Sequence, residues 1–215
     1  MSCSSRFASG EIVHRCQTPT MKRTLLLCLT VLCTPAAWAQ PSSANDAPAA
    51  TASVQRDEMR PELAGALPQA QRIGTGRLVV WGFQVYDARL WAQPGFRAAN
   101  FDSTPLALEL SYLRAFKAKE IAERSIKEMR RSKPVSDAQA ARWTADMLRV
   151  IPDVRTGDRV MGVHQPGVGA AFWVNGKNTG DIQDAEFARL FFGIWLSPNT
   201  SEPKLREALL AGAAG

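Results

Sequence analysis

The 215-residue sequence holds 26 Lys+Arg against 20 Asp+Glu, and 46% of it is hydrophobic, which is enough for one domain with an ordinary core. A net charge of +6, scattered along the chain, excludes a nucleic-acid-binding face of the usual kind. All four cysteines (Cys3, Cys16, Cys28, Cys33) lie near the start and a single histidine, His164, follows them, so zinc, haem and iron–sulfur sites lack their usual ligands and no metal or cofactor is expected.

Met21 is followed by Lys22-Arg23, an apolar run from Thr24 to Cys33, and then Thr34-Pro35-Ala36-Ala37-Trp38-Ala39. That order is a charged n-region, an h-region and an A-x-A cleavage site, so residues 1–39 read as a signal peptide cut near Ala39, with Met21 as a candidate true start. The apolar run is about half of the ~20 residues a membrane-spanning helix needs. Leu27 and Leu32 precede Cys28 and Cys33, where a lipid anchor needs small residues. The expected product is a periplasmic or secreted, soluble, cysteine-free protein with no transmembrane helix. Cleavage removes four basic residues and one acidic one, leaving 22 basic and 19 acidic residues and a net charge of +3.

Residues 40–70 read as a flexible linker, since Gln40 to about Arg60 has hardly a large apolar residue to offset ordering entropy. The domain is expected over 71–212. Arg77 to Trp81 and Gln84 to Trp91 are rich in Val, Trp, Tyr and Phe and predict a hairpin turning at Gly82-Phe83. Leu106 to Ala115 alternates Leu106, Leu108, Leu110 and Tyr112 with smaller or polar residues, a strand with one buried face.

Lys117 to Arg131 changes to helical spacing, and its basic end, with Lys127, Arg130, Arg131 and Lys133, suits the helix dipole. Ser136 and Gln139 form a capping box for a second helix, which Pro152 stops. Asp158 to His164 and Ala170 to Val174 read as strands, followed by the hairpin signal Asn175-Gly176. Asp184 caps a helix through Phe187 to Trp195, and Ser201 with Pro203 starts a last short one through Leu205 and Leu209. The order predicts an α+β domain, helices laid on a mostly antiparallel sheet.

No G-x-S-x-G elbow, Walker loop or H-E-x-x-H occurs. Gly74-Thr75-Gly76 precedes a strand instead of opening a helix, so it reads as close backbone approach and not as a dinucleotide loop. What remains is a candidate site on strands: Arg77, Tyr86, Tyr112 and Arg114. A guanidinium pairs a carboxylate and a phenol donates one more hydrogen bond, which suits a small carboxylated ligand with an apolar body. The alternatives are that both arginines are exposed strand charges and both tyrosines core aromatics.

Several segments together resemble the bacterial chalcone isomerase-like family. They are Gly74-Thr75-Gly76-Arg77, Val85 to Trp91, Ile151-Pro152-Asp153-Val154 with Gly157-Asp158-Arg159, Phe191 to Leu196, and Leu205 to Leu210. The resemblance runs from Ile73 to Leu210. It implies an open-faced β-sandwich, an antiparallel curved sheet with helices packed on one face and a ligand cleft between them. Relatives include isomerases that close a chalcone and proteins that bind fatty acids without catalysis. The resemblance sets Tyr86 where the binders carry Tyr and the isomerases Thr. It sets Ile121 and Glu128 near the helical Tyr and Asn of the isomerases. Arg77 stands one residue early, where strand alternation turns it to the opposite face unless a bulge restores it.

The function expected is binding of a small apolar ligand, fatty-acid-like or carboxylated, without catalysis. The alternatives are an isomerase (intramolecular lyase) and an envelope module that docks a protein partner.

Overall fold

The computed structural model describes residues 60–214, so the expected export segment and most of the expected linker lie outside the described residues. Six strands are β1 (Gln71–Val80), β2 (Phe83–Ala92), β3 (Leu106–Tyr112), β4 (Arg159–Gln165), β5 (Gly169–Val174) and β6 (Lys177–Ile182). They form one sheet in chain order, each antiparallel to the next.

The period of two in the sequence becomes two faces. Leu106, Leu108, Leu110 and Tyr112 join the main core, while Ala107 joins a smaller cluster and Glu109 bonds to arginines on the opposite face. Between β3 and β4 the chain makes a helix pair, α2 (Ala118–Ser132) and α3 (Asp137–Val150); α4 (Ala185–Leu196) and α5 (Pro203–Leu209) follow β6. These helices cover the main-core face of the sheet, giving the α+β, open-faced architecture that the sequence implies.

Local chemistry sets their ends. Ser136 Oγ accepts from Gln139 N at 3.2 Å, completing the capping box of α3. Asp184 does more than cap α4: its carboxylate accepts from Phe187 N at 2.9 Å, from Trp143 Nε1 at 2.9 Å and from Arg142 at 2.8 Å. One side chain therefore starts α4 and fastens it to α3.

β3 ends at Tyr112, not Ala115, which leaves Arg114 beyond the strand, and three further boundaries differ from the sequence reading. β1 begins at Gln71, not Arg77, because Gly74 and Gly76 interrupt the apolar alternation. A Cβ on Gly74 would stand 2.3 Å from the Ala208 carbonyl, so β1 and α5 meet backbone to backbone. The first hairpin turns at Trp81-Gly82, not Gly82-Phe83, with φ of 50° and 82°, the left-handed pair of a type I′ turn.

The last difference concerns the expected linker 40–70, whose residues 61–70 belong to the fold. Helix α1 (Pro61–Ala66) buries Leu63, and Leu67 and Ala70 follow it, against Trp91, Ala107, Met161 and Val163 on the other face of the sheet. Two leucines are too few to show helical periodicity, yet each contributes roughly 1.5–3 kcal/mol once buried.

Beside this cluster Glu109 is fully buried and bonded to Arg89 at 2.7 Å, Arg60 at 3.0 Å and Arg159 at 3.2 Å. Burial alone would raise its pKa; the Arg60 hydrogen bond and the charges of Arg60, Arg159 and Arg89 overcome that and hold it below the ordinary carboxylate value.

Candidate ligand-binding cavity

A cavity of about 630 Å3 opens between the sheet and α2, within the ~300–1,000 Å3 of small-molecule sites. Its floor is strand side chains, among them Leu78, Tyr86, Leu110, Tyr112 and Val160. Ile121 of α2 and Phe191, Ile194 and Trp195 of α4 form the roof. Alternation on the strands and helical spacing above put apolar groups on both sides of one gap.

The floor has a polar spot. Tyr86 and Tyr112 are register partners on β2 and β3, with ring centroids 5.9 Å apart at 74°. Trp195 Nε1 donates to Tyr86 Oη at 2.9 Å, which leaves the Tyr86 proton free to donate. Burial raises the pKa of Tyr86, against the opposing Trp195 bond, and burial followed by the nearness of Tyr86 raises that of Tyr112. Both phenols are therefore neutral donors at physiological pH.

Four further polar residues line the cavity from α2: Glu120, Arg124, Ser125 and Glu128. Ser125 Oγ donates to the Ile121 carbonyl at 2.8 Å, so its hydrogen is committed within the helix. Glu128 is 7% exposed and takes Arg124 at 2.9 Å on Oε1. Its buried Oε2 has no hydrogen-bond partner among the described residues, and Arg131 Nε at 3.6 Å is close enough for charge attraction but too far for a hydrogen bond. Ile121 and Glu128 are seven residues, about two turns, apart on α2, which brings both to the cavity.

Of the four candidates, Tyr86, Tyr112 and Arg114 line the cavity and Arg77 does not. Arg77 lies on the opposite face of the sheet, bonded to Asp87 at 2.5 and 2.9 Å and to Gln84 at 2.9 Å. β1 does carry a bulge ahead of Arg77, at Ile73 between Arg72 and Gly74, and a second irregularity, opposite Leu78 and Val79, inserts Val85 on β2; with both in place Arg77 still pairs with Asp87 and its guanidinium bonds the Asp87 carboxylate. Arg114 is exposed at the cavity edge, its guanidinium 4.8 Å from the Phe83 ring centroid.

Sequence reasoning left out Trp195 and Arg124. The first was assigned to core by its helical spacing; the usable signal was its indole N–H, which needs an acceptor when buried. His164 is not among the lining residues; it is 1% exposed beside Phe192, its pKa lowered by burial. Among the described residues, no group of three or more His, Cys, Asp or Glu is placed to hold a metal ion.

A curved antiparallel sheet, roofed by helices over an apolar cleft, defines a chalcone isomerase-type fold. The chain belongs to the chalcone isomerase-like family, whose model matches residues 73–211. A curated protein of Haemophilus influenzae, without functional description, is 32% identical over 131 residues, 60% of this chain. The match spans 63% of that relative's length. The fold is also similar to that of a fatty-acid binding protein of Arabidopsis thaliana, with a TM-score of 0.52 and 11% identity over 66% of this chain and 87% of the other.

Proposed function

We propose that this chain is an exported binding protein that holds a small, largely apolar ligand with one hydrogen-bond-accepting end, such as a fatty-acid carboxylate, without converting it. The observation that carries this reading is the 630 Å3 apolar cavity with two neutral phenol donors on its floor. A carboxylate or carbonyl at Tyr86 and Tyr112 would leave the hydrocarbon body against Leu78, Leu110, Ile121 and Ile194. The fatty-acid-binding name of the Arabidopsis neighbour points the same way. Binding without catalysis is supported by Arg77, which carries its charge outside the cavity, paired with Asp87. Export is supported by the segment from Met21 to Ala39.

Titration with a fluorescent long-chain fatty acid, displaced by palmitate, tests the reading. Saturable binding is expected, lost in an Ile121→Trp variant whose indole fills the gap. Circular dichroism verifies that this variant folds. Absence of binding to the wild-type chain, or undiminished binding to folded Ile121→Trp, would overturn the proposal.

A further inference from the structure

The tip of the β1–β2 hairpin is the largest cluster of exposed apolar side chains among the described residues. Trp81 is 94% exposed, Phe83 59% and Val79 48%, whereas Leu148 and Val168 are isolated. Single exposed apolar residues are ordinary; three on one turn mark an interaction surface.

The backbone adds a second argument. Trp81 and Gly82 have φ of 50° and 82°, the same values as Asn175 and Gly176 at the β5–β6 turn. Asn accepts the left-handed conformation readily, while a bulky indole is strained there. The chain thus uses the favourable residue at one turn and a costly one at its geometric twin, where nothing in the fold buries the ring. Strain held at an exposed position points to a role outside the fold.

The chemistry around the tip selects the partner. Arg114 lies over the Phe83 ring and, among the described residues, makes no ion pair. Aromatic rings beside an unpaired guanidinium match a lipid interface, where indoles sit at headgroup level and a cation meets phosphate. Trp81, Phe83 and Arg114 also line the cavity, so the same patch forms its edge. Glu120, another lining residue, is turned to its own helix, accepting from Lys117 N at 2.9 Å.

We propose that this tip docks the chain reversibly on a phospholipid surface, with the cavity edge toward the bilayer, so that an apolar ligand passes between membrane and cavity without crossing water. The docking stands on the hairpin alone; the passage of ligand rests on the function proposed above.

Flotation of the purified chain with phosphatidylethanolamine–phosphatidylglycerol vesicles, and with phosphatidylcholine vesicles, tests the docking. The wild-type chain is expected to float with the anionic vesicles. Trp81→Asn should lower partitioning about tenfold or more, the loss expected for one large apolar side chain, while its melting temperature stays equal or rises. Arg114→Gln should weaken binding to the anionic vesicles and leave the weaker binding to neutral ones unchanged. A wild-type chain that stays in the buffer, or Trp81→Asn that floats as well as wild type, would overturn the docking. So would a concentration-dependent dimer abolished by Trp81→Asn, which would assign the tip to a second copy. Fatty-acid titration of the wild-type chain in vesicle-free buffer separates the two ideas. Ligand bound there without vesicle binding defeats the docking alone, and vesicle binding by a chain that takes no ligand defeats the cavity reading alone.

Discussion

The phenol of Tyr86 links the floor of the cavity to its roof, because its oxygen is the acceptor for the buried Trp195 N–H at 2.9 Å. Tyr86→Phe is expected to orphan that donor, costing about 1–3 kcal/mol of stability in urea unfolding, and to weaken fatty-acid binding. Arg77→Ala is expected to leave fatty-acid affinity at the wild-type value, since Arg77 is bonded on the other side of the sheet. Loss of binding in Arg77→Ala, read by the same titration, would put the guanidinium in the site and contradict this geometry. Both assignments follow from a period of two: Tyr86 and Arg77 were each readable as to face. What could not be read was where a bulge falls, since the Leu78/Val79 irregularity depends on the partner strand as much as on β1. Glu128 was legible only through the family resemblance, because a charged residue on an amphipathic helix normally reads as solvent-facing.

At the level of elements, the signals written in consecutive residues are the ones that transfer to structure. Ser136 with Gln139, Asp184, and Asn175-Gly176 set a helix start, a second helix start and a turn, each through contacts within four residues. Helix α1 carries only Pro61 at its first position and Glu62 in its first turn, and the first half of β1 carries no such mark. Leu63 and Leu67 matter because the far face of the sheet has an apolar patch to cover, and Gly74 because α5 needs the space, both tertiary facts. Asp184 also has a tertiary role that no local pattern announces, as the acceptor for the fully buried Trp143. Asp184→Ala should therefore cost more than a cap, roughly 2–4 kcal/mol from the lost cap and the orphaned indole together. Denaturant unfolding measures this, and a loss under about 1 kcal/mol would mean the indole bond contributes little.

For the molecule as a whole, a six-stranded meander interrupted by a helix pair puts every strand beside its neighbour in sequence, so sheet order was implied by the order of elements. The apolar faces of sheet and helices were legible too. The gap between them was legible only through the family resemblance, because emptiness depends on how far α2 and α4 stand off the strands, and a pattern of apolar residues reads the same for a filled core as for a hollow one. Exposure of the hairpin tip was hidden for a similar reason, as Trp81 and Phe83 look like ordinary strand aromatics in sequence. The central claim is that the hollow is a ligand site. Native mass spectrometry of the chain recovered from cells without organic solvent tests it most directly. The expected spectrum carries the added mass of one small apolar molecule per chain, missing from folded Ile121→Trp; a bare wild-type chain that takes up no added fatty acid would contradict the account.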